Sequence, residues 1–152
     1  HFCNLVTLIF LSVTIISCSF SPINPDTKII VSKVKFDISV PEKIRNNINT
    51  FIIEKDLSTK EVTFSEFKFK ENNFFGGENL GSLESEVSGS IQIKILNGKE
   101  HTKKISSIKR FNTQSLNPLA QKELIKIMHI EIIEDLNKKI LLYLKIHEDK
   151  QS

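Results

Sequence analysis

The feature that most constrains the fold is the segment from Ser115 to Ile146, which has the pattern of one long helix. Asn117 is a good N-cap because its side chain can accept a hydrogen bond from a first-turn amide, and Pro118 suits the first helical position. A helix of about 28 residues would be about 42 Å long, and a small domain can seldom bury more than one face of it. One apolar face recurs every three or four positions: Leu124 or Ile125, Met128, Ile132, Leu136, Ile140 and Tyr143 or Leu144.

A second apolar row makes this helix more hydrophobic than one packing face requires. It consists of Ile127, Ile130, Ile133, Leu141 and Leu142. The row is either part of a broad face that packs on a sheet, or a surface for another protein or for lipid. The sequence leaves both interpretations open.

The first seventeen residues have the pattern of a signal peptide. Phe2 to Ser17 is almost wholly apolar and uncharged, and it is shorter than the roughly 20 residues that span a bilayer. Ser17 followed by Cys18 resembles a bacterial lipobox, which implies cleavage before Cys18 and diacylation of that residue. Ser19 at the next position favours the outer membrane. An uncleaved signal anchor or a chance cysteine are the alternatives.

Between this segment and the long helix, the pattern predicts a strand, a helix and three more strands. The first strand covers Thr27 to Val34, after a linker at 18–26. Pro41 opens a helix that ends near Asp56 and places on one side Ile44, Ile48, Phe51 and Ile52.

The second strand, Glu61 to Lys70, changes its apolar phase between Phe64 and Phe67. Such a change predicts a β-bulge or a strand that is covered on both faces. Glu71 to Ser82 follows as a predicted loop, rich in Gly and Asn. Phe74 and Phe75 in this loop either fold back onto the core or form a mobile apolar tip for lipid or a partner.

The last two strands form a hairpin. Leu83 to Leu96 alternates apolar and polar residues, and Asn97-Gly98 suits a type I′ turn. The return strand, Lys99 to Phe111, carries five cations, which form an anion-binding patch or guard an exposed edge against mispairing. These cations are Lys99, Lys103, Lys104, Lys109 and Arg110.

No motif for catalysis or for metal binding is present in the sequence. His101, His129 and His147 are far apart in sequence, and no HExxH, CxxC or Gly-x-Ser-x-Gly pattern occurs. His129 is expected to be a packed residue. The net charge of +3 is too mild to predict nucleic-acid binding. We therefore expect a protein that is not an enzyme and that needs no cofactor or metal.

The last helix and its approach resemble the LPS-assembly lipoprotein family, LptE. The residues that carry the resemblance are Arg110-Phe111-Asn112, Asn117-Pro118-Leu119-Ala120, Glu123, Met128, Glu131, Leu136 and Ile140-Leu141. The resemblance implies an α+β fold: a two-layer sandwich with a mixed four-stranded sheet, two helices packed on one face, and a lipoprotein signal peptide before it. The domain boundaries are then 1–17 for the signal peptide, 18–26 for the acylated Cys and linker, 27–147 for the domain and 148–152 for a polar tail.

The resemblance also implies a role as a lipid-anchored plug of the LptD β-barrel on the periplasmic face of the outer membrane, where it binds lipopolysaccharide (LPS). The LPS-binding candidates are Lys103, Lys104, Lys109, Arg110 and Lys122, and the partner-facing candidates are Phe74, Phe75, Met128 and Ile132. Some family members have basic residues where this chain has Gly76, Gly77, Glu78 and Gln121. The alternative is a periplasmic lipoprotein that serves as an accessory subunit of another lipid or envelope transport system.

Overall fold

The computed structural model of the protein describes residues 28–56, 58–75, 82–113 and 117–149. The predicted signal peptide, Cys18 and the linker lie outside these residues, as do Gly76, Gly77 and Glu78. Among the residues it describes, no helix is long and apolar enough to cross a membrane. The described part corresponds to the predicted folded domain.

The domain has two layers, with two helices on one face of a mixed four-stranded sheet, so the predicted α+β fold class is confirmed. The sheet order is β2-β4-β5-β6, in which β2 is parallel to β4 and the other pairs are antiparallel. Strands β1 and β3 form a separate parallel pair. The elements are β1 (Ile29–Val31), β2 (Lys33–Phe36), α1 (Glu42–Phe51), β3 (Ile52–Glu54), β4 (Glu61–Phe75), β5 (Ser82–Asn97), β6 (Lys99–Asn112) and α2 (Pro118–Asp149).

The predicted first strand is in fact two strands, divided at Ser32, whose amide donates to the Lys60 carbonyl at 2.8 Å. Helix α1 also ends earlier than predicted, at Phe51. The next three residues form β3, because pairing with β1 satisfies their backbone and buries Ile52 opposite Ile29. Both differences arise from pairing between segments more than twenty residues apart.

Strand β4 continues to Phe75, so the predicted loop is wrong for residues 71–75. These residues pair with the first part of β5, which supplies their backbone partners. The predicted bulge is confirmed: the register shifts between Ser65 and Lys68, and Glu66 has a φ of 51°. The bulge returns Phe69 to the helix-facing side that Phe64 occupies upstream.

Helix α2 begins as predicted and crosses the sheet at Gly89. The Ala120 amide donates to Asn117 Oδ1 at 2.8 Å, which confirms the N-cap. A Cβ at Gly89 would collide with Ile132, so only glycine allows this close approach. The helix is 32 residues long and runs two residues into the predicted polar tail. Its fully buried residues are Ile132, Leu136, Ile140 and Leu144.

The second apolar row of α2 is only partly covered. Leu141 is buried where α1 packs against α2, whereas Ile127 and Ile130 are 50% and 49% exposed. The reason is length: α1 has 10 residues and α2 has 32, so α1 spans about 15 Å of a helix about 48 Å long. The packing interpretation is confirmed at Leu141, and a surface for another protein or for lipid stays a prediction for Ile127 and Ile130.

Candidate functional site

The cations of β6 lie on two faces of the sheet. Ile93 and Val87 of β5 are buried on the helix side and pair with Lys103 and Lys109, so these two lysines share that side. Lys104 and Arg110 lie on the opposite side, which we call the open face because neither helix covers it. The return strand therefore does not present one patch of cations.

Two of the predicted LPS-binding cations are paired within the domain. Lys109 Nζ lies 3.3 Å from Glu131 Oε2, and Arg110 Nε donates to Glu86 Oε2 at 2.7 Å. The hydrogen bond and the charge of Glu86 raise the pKa of Arg110. A ligand phosphate would have to compete with these carboxylates.

Lys103 and Lys104, two of the three remaining predicted LPS-binding cations, line a cleft between β6 and the C-terminal part of α2, which we call the β6–α2 cleft. Lys103 reaches it from the helix side and Lys104 belongs to the open face, and neither has an ion-pair partner among the described residues. The cleft has a volume of about 320 Å³. Its lining is mostly apolar and is completed by Ile105, Ser106, Lys139, Leu142, Tyr143 and Ile146.

Lys139, the third lysine of the cleft, connects the helix to the strand. Its Nζ lies 2.8 Å from Asp135 Oδ2 and donates to the Ser106 carbonyl at 2.9 Å. Burial raises the pKa of Asp135, but hydrogen bonds from Lys139 and Ser107, with the charges of Lys139 and Lys109, outweigh burial and lower it. Because Asp135 stays ionised, Lys139 is held in place.

An aromatic cluster lies at the end of the cleft and joins residues that are distant in sequence. The ring of His147 lies 4.5 Å from that of Tyr143 and 5.6 Å from that of His101, between centroids. Burial raises the pKa of Tyr143, so its phenol is neutral and can donate a hydrogen bond. Among the described residues, no group of three or more metal-ligating side chains is present.

Lys122, the fifth predicted LPS-binding residue, lies in a different opening. We call it the N-terminal groove, since it runs along the first turns of α2 beside Glu71 of β4, and its volume is about 400 Å³. Lys126 lies 2.6 Å from Glu123, and His129 Nε2 lies 3.3 Å from Glu71. His129 also stacks on Phe69, as expected for a packed residue. Lys122 and Lys139 are seventeen residues apart on one helix, which corresponds to about 25 Å.

The predicted partner-facing residues differ in exposure. Ile132 is fully buried against the sheet, so its prediction is wrong, and Met128 is half-buried against the core. Phe74 and Phe75 are 45% and 63% exposed at the end of β4. They do not fold back onto the core.

Phe74 and Phe75 continue β4 beyond Glu71, at the end of the domain where α2 begins. Ile127 and Ile130 in the N-terminal half of α2 are exposed as well. The three-residue spacing of Ile127 and Ile130 assigns both residues to the second apolar row of the helix. Their exposure is not encoded in that spacing, because it follows from the shortness of α1. We call Phe74, Phe75, Ile127 and Ile130 the apolar end.

No family model and no curated protein match the sequence. Solved bacterial lipoproteins, however, are similar in structure. Rare lipoprotein B from Shewanella oneidensis is 12% identical, with a TM-score of 0.65 over 80% of this chain and 96% of that one. A minor lipoprotein from Acinetobacter baumannii is 8% identical, with a TM-score of 0.58 over 79% of this chain and 95% of that one.

An uncharacterized lipoprotein B from Nitrosomonas europaea is 12% identical, with a TM-score of 0.56 over 76% of this chain and 84% of that one. Each match covers most of both chains, so it extends well beyond a single motif. At these identities the likeness shows the fold. The chain has the two-layer α+β fold of these bacterial lipoproteins.

Proposed function

We propose that this protein is an outer-membrane lipoprotein of the LPS-assembly type. It is anchored by acylated Cys18, binds LPS in the β6–α2 cleft and docks as a plug into an LptD-type β-barrel, without making or breaking a covalent bond. The lipobox-like Ser17-Cys18 and the fold shared with bacterial lipoproteins support the anchored, envelope part of the proposal.

The observation that carries the LPS-binding part is the composition of the cleft. Lys103 and Lys104 have no ion-pair partner in the described part of the chain, and they line the same cleft as the apolar side chains of Leu142 and Ile146, which we call its apolar floor. Ammonium groups bind phosphate through charge-assisted hydrogen bonds, and an acyl chain gains free energy when it leaves water for an apolar floor. The cleft therefore fits an anionic amphiphile such as lipid A, with the phosphate at the rim and an acyl chain inside.

The apolar end supports the docking part. Phe75 and Ile127 expose large apolar side chains that the domain does not cover. Exposed apolar patches mark binding sites for proteins or membranes. Ile127 lies twelve residues before the cleft residue Lys139 on α2, which corresponds to about 18 Å, so a barrel wall and an LPS molecule would contact different parts of the helix.

The test of LPS binding compares the removal of positive charge at the β6–α2 cleft with its removal at the N-terminal groove. The full chain is placed in phosphatidylcholine nanodiscs, and its affinity for lipid A is measured by biolayer interferometry. The double variant Lys103→Gln with Lys104→Gln should lose about tenfold, since two partly exposed ion pairs are worth about 0.7 kcal/mol each. The matched control, Lys122→Gln with Lys126→Gln, should stay within about twofold. Equal losses in both variants, or in neither, would contradict the proposal.

The test of docking is co-purification from the native host in mild detergent. A large outer-membrane β-barrel recovered near one to one with the tagged chain, identified as LptD by mass spectrometry, supports the plug. Replacing Ile127 and Ile130 with Ser should reduce the recovered barrel, because these side chains are exposed in the isolated domain. Recovery of an inner-membrane transporter subunit would instead favour the accessory-subunit alternative.

A further inference from the structure

Strand β6 has an outer edge that no other strand covers in the described part of the chain. It is the last strand of the sheet order, and it is fourteen residues long. Its pairing with β5 is unbroken from Asn97↔Lys99 to Glu84↔Asn112, without the register shifts that occur between β4 and β5. The edge is therefore long and regular, and its sequence contains no proline.

The direction of the backbone groups along this edge follows from one hydrogen bond. The Thr113 amide donates to the Leu83 carbonyl at 3.0 Å, so these two residues form a hydrogen-bonded pair just beyond the ends of the ladder. In an antiparallel ladder such pairs alternate with pairs whose N–H and C=O groups point away from the partner strand. The residues that point outward are consequently the even-numbered ones: Thr102, Lys104, Ser106, Ile108 and Arg110.

A second hydrogen bond supports this assignment independently. Lys139 Nζ donates to the Ser106 carbonyl at 2.9 Å, which requires that carbonyl to be accessible rather than used by β5. The outward amides of Lys104, Ser106 and Ile108 have no acceptor among the described residues. Strand β6 thus presents a row of outward amide donors that no described acceptor uses, and of the outward carbonyls that of Ser106 is bonded to Lys139.

The charges beside this edge discriminate between possible strands. Strand β6 carries five cations and one acid, Glu100, so a second copy of β6 would bring like charges together. Lys103 and Lys104 place one unpaired ammonium group on each face of the edge. An extended segment with carboxylates on alternate residues would match both the backbone row and these charges.

We propose that the outer edge of β6, from Thr102 to Arg110, accepts an extended acidic segment of another protein as an added fifth strand of the sheet. Backbone hydrogen bonds to the outward residues supply affinity, and the lysines select carboxylates. This strand site does not rest on LPS binding, since its central groups are the backbone amides of Lys104, Ser106 and Ile108.

The experiment uses the full chain in nanodiscs and a fluorescent nine-residue peptide in which Glu alternates with Thr and Val. Ile108→Pro removes an outward amide that β5 does not use, so the β5–β6 ladder should stay intact. We expect Ile108→Pro to weaken the peptide at least about tenfold, and Ile108→Ala to leave its affinity within about twofold. Ile108 does not line the β6–α2 cleft, so lipid A affinity should be the same in both variants, which separates this site from the cleft.

Two further measurements do not depend on the folding of the proline variant. A peptide N-methylated on the residues that face β6 should not bind, and the unmodified peptide should slow hydrogen exchange at the amides of Lys104, Ser106 and Ile108. Equal binding of the N-methylated peptide would show charge attraction alone and overturn the proposal. The proposal would also be overturned if the peptide did not bind, or if two copies of the chain formed a dimer through β6.

Discussion

Helix α2 packs against the sheet at Gly89 and leaves an opening on each side of that contact, and the two openings differ in charge pairing. In the N-terminal groove, β4 supplies Glu71 beside His129 and α2 supplies Glu123 beside Lys126. In the β6–α2 cleft, Lys139 is bound by Asp135, and Lys103 and Lys104 have no carboxylate partner in the part of the chain that the structure describes.

The difference between the cleft and the groove shows that the number of cations alone does not identify an anion-binding site. Both openings contain lysines, but among the described residues the cleft has two without an ion pair, Lys103 and Lys104, and the groove has one, Lys122. An exposed ion pair contributes little to stability, yet its carboxylate competes with an incoming phosphate. The unpaired lysines therefore make the cleft the better candidate.

The contact that divides the two openings gives the largest expected effect. Gly89→Ala should lower the free energy of unfolding by about 2 kcal/mol, since a Cβ there collides with Ile132 and the helix has to move. Urea unfolding of the full chain measures this loss. The double variant Gly89→Ala with Ile132→Ala should lose less free energy of unfolding than the sum of the losses in the two single variants. Additive losses would mean that the helix contact at Gly89 is not the cause.

The apolar floor of the cleft can be tested with a matched pair of double variants. Leu142→Ser with Ile146→Ser should weaken lipid A binding about tenfold, because the acyl chain would lose about two buried methylene groups of contact. The control is Ile127→Ser with Ile130→Ser, whose side chains are 50% and 49% exposed, against 48% and 46% for Leu142 and Ile146. The control should keep its lipid A affinity; a loss there of the same size would remove the distinction between cleft and apolar end.

Much of the domain can be predicted from its sequence where the signal is local. The N-cap Asn117, the hairpin at Asn97-Gly98 and the bulge after Phe64 are each encoded within a few residues. The hairpin turn is not the predicted type I′, because Asn97 pairs with Lys99 and only Gly98 of the two turn residues has a positive φ. Strand β3 cannot be predicted this way, because Ile52 continues the apolar face of α1 and becomes a strand only by pairing with β1.

The candidate site is likewise predictable from the sequence only where its signal is local. The alternation of β6 already places Lys103 and Lys104 on opposite faces, a signal of period two that refines the predicted cationic patch. The floor of the cleft is not readable from local pattern, since Leu142 and Ile146 come from a helix more than thirty residues later in the chain.

If charge pairing distinguishes the two openings, removing the carboxylates should make the groove more like the cleft. In a Lys103→Gln, Lys104→Gln background, adding Glu71→Gln and Glu123→Gln frees Lys126 and His129 from their acidic partners. Lipid A affinity should recover about threefold, as expected from one gained exposed ion pair of about 0.7 kcal/mol. Adding Glu42→Gln and Glu66→Gln instead removes two carboxylates that hold no cation among the described residues, so lipid A affinity should not recover. Without a difference between the two quadruple variants, pairing would not explain the contrast.

The smallest expected effect is the pH dependence of the Asp135 contact beside the cleft. The pKa of Asp135 lies below its ordinary value of 3.8 in the folded protein, so its contribution to stability is present above that value. The contribution is lost as the pH falls through the lowered pKa. Because the side chain is 37% exposed, the loss should be only a few tenths of a kcal/mol, at about the size of an exposed pair.

Thermal unfolding of the full chain between about pH 5 and about pH 2 measures this loss. Asp135→Asn should show a shallower acid-induced decrease in stability than the unchanged protein. Asp37 and Glu61, whose pKa values are also lowered, by bonds from Ser39 and Lys35 respectively, remain in both proteins and account for the rest of the slope. An equally steep decrease in the variant would show that the Asp135 contact does not form.

The most direct test of the account is photo-crosslinking to LPS in the native host. A photoreactive phenylalanine derivative replaces Ile146 in the cleft or, in a separate strain, Ile125 in the N-terminal groove. If LPS binds in the β6–α2 cleft, position 146 should give a strong LPS adduct, and position 125 should give a weak one or none. An adduct mainly from position 125, or of equal strength from both, would contradict the claim that the unpaired lysines and apolar floor of the cleft form the binding site.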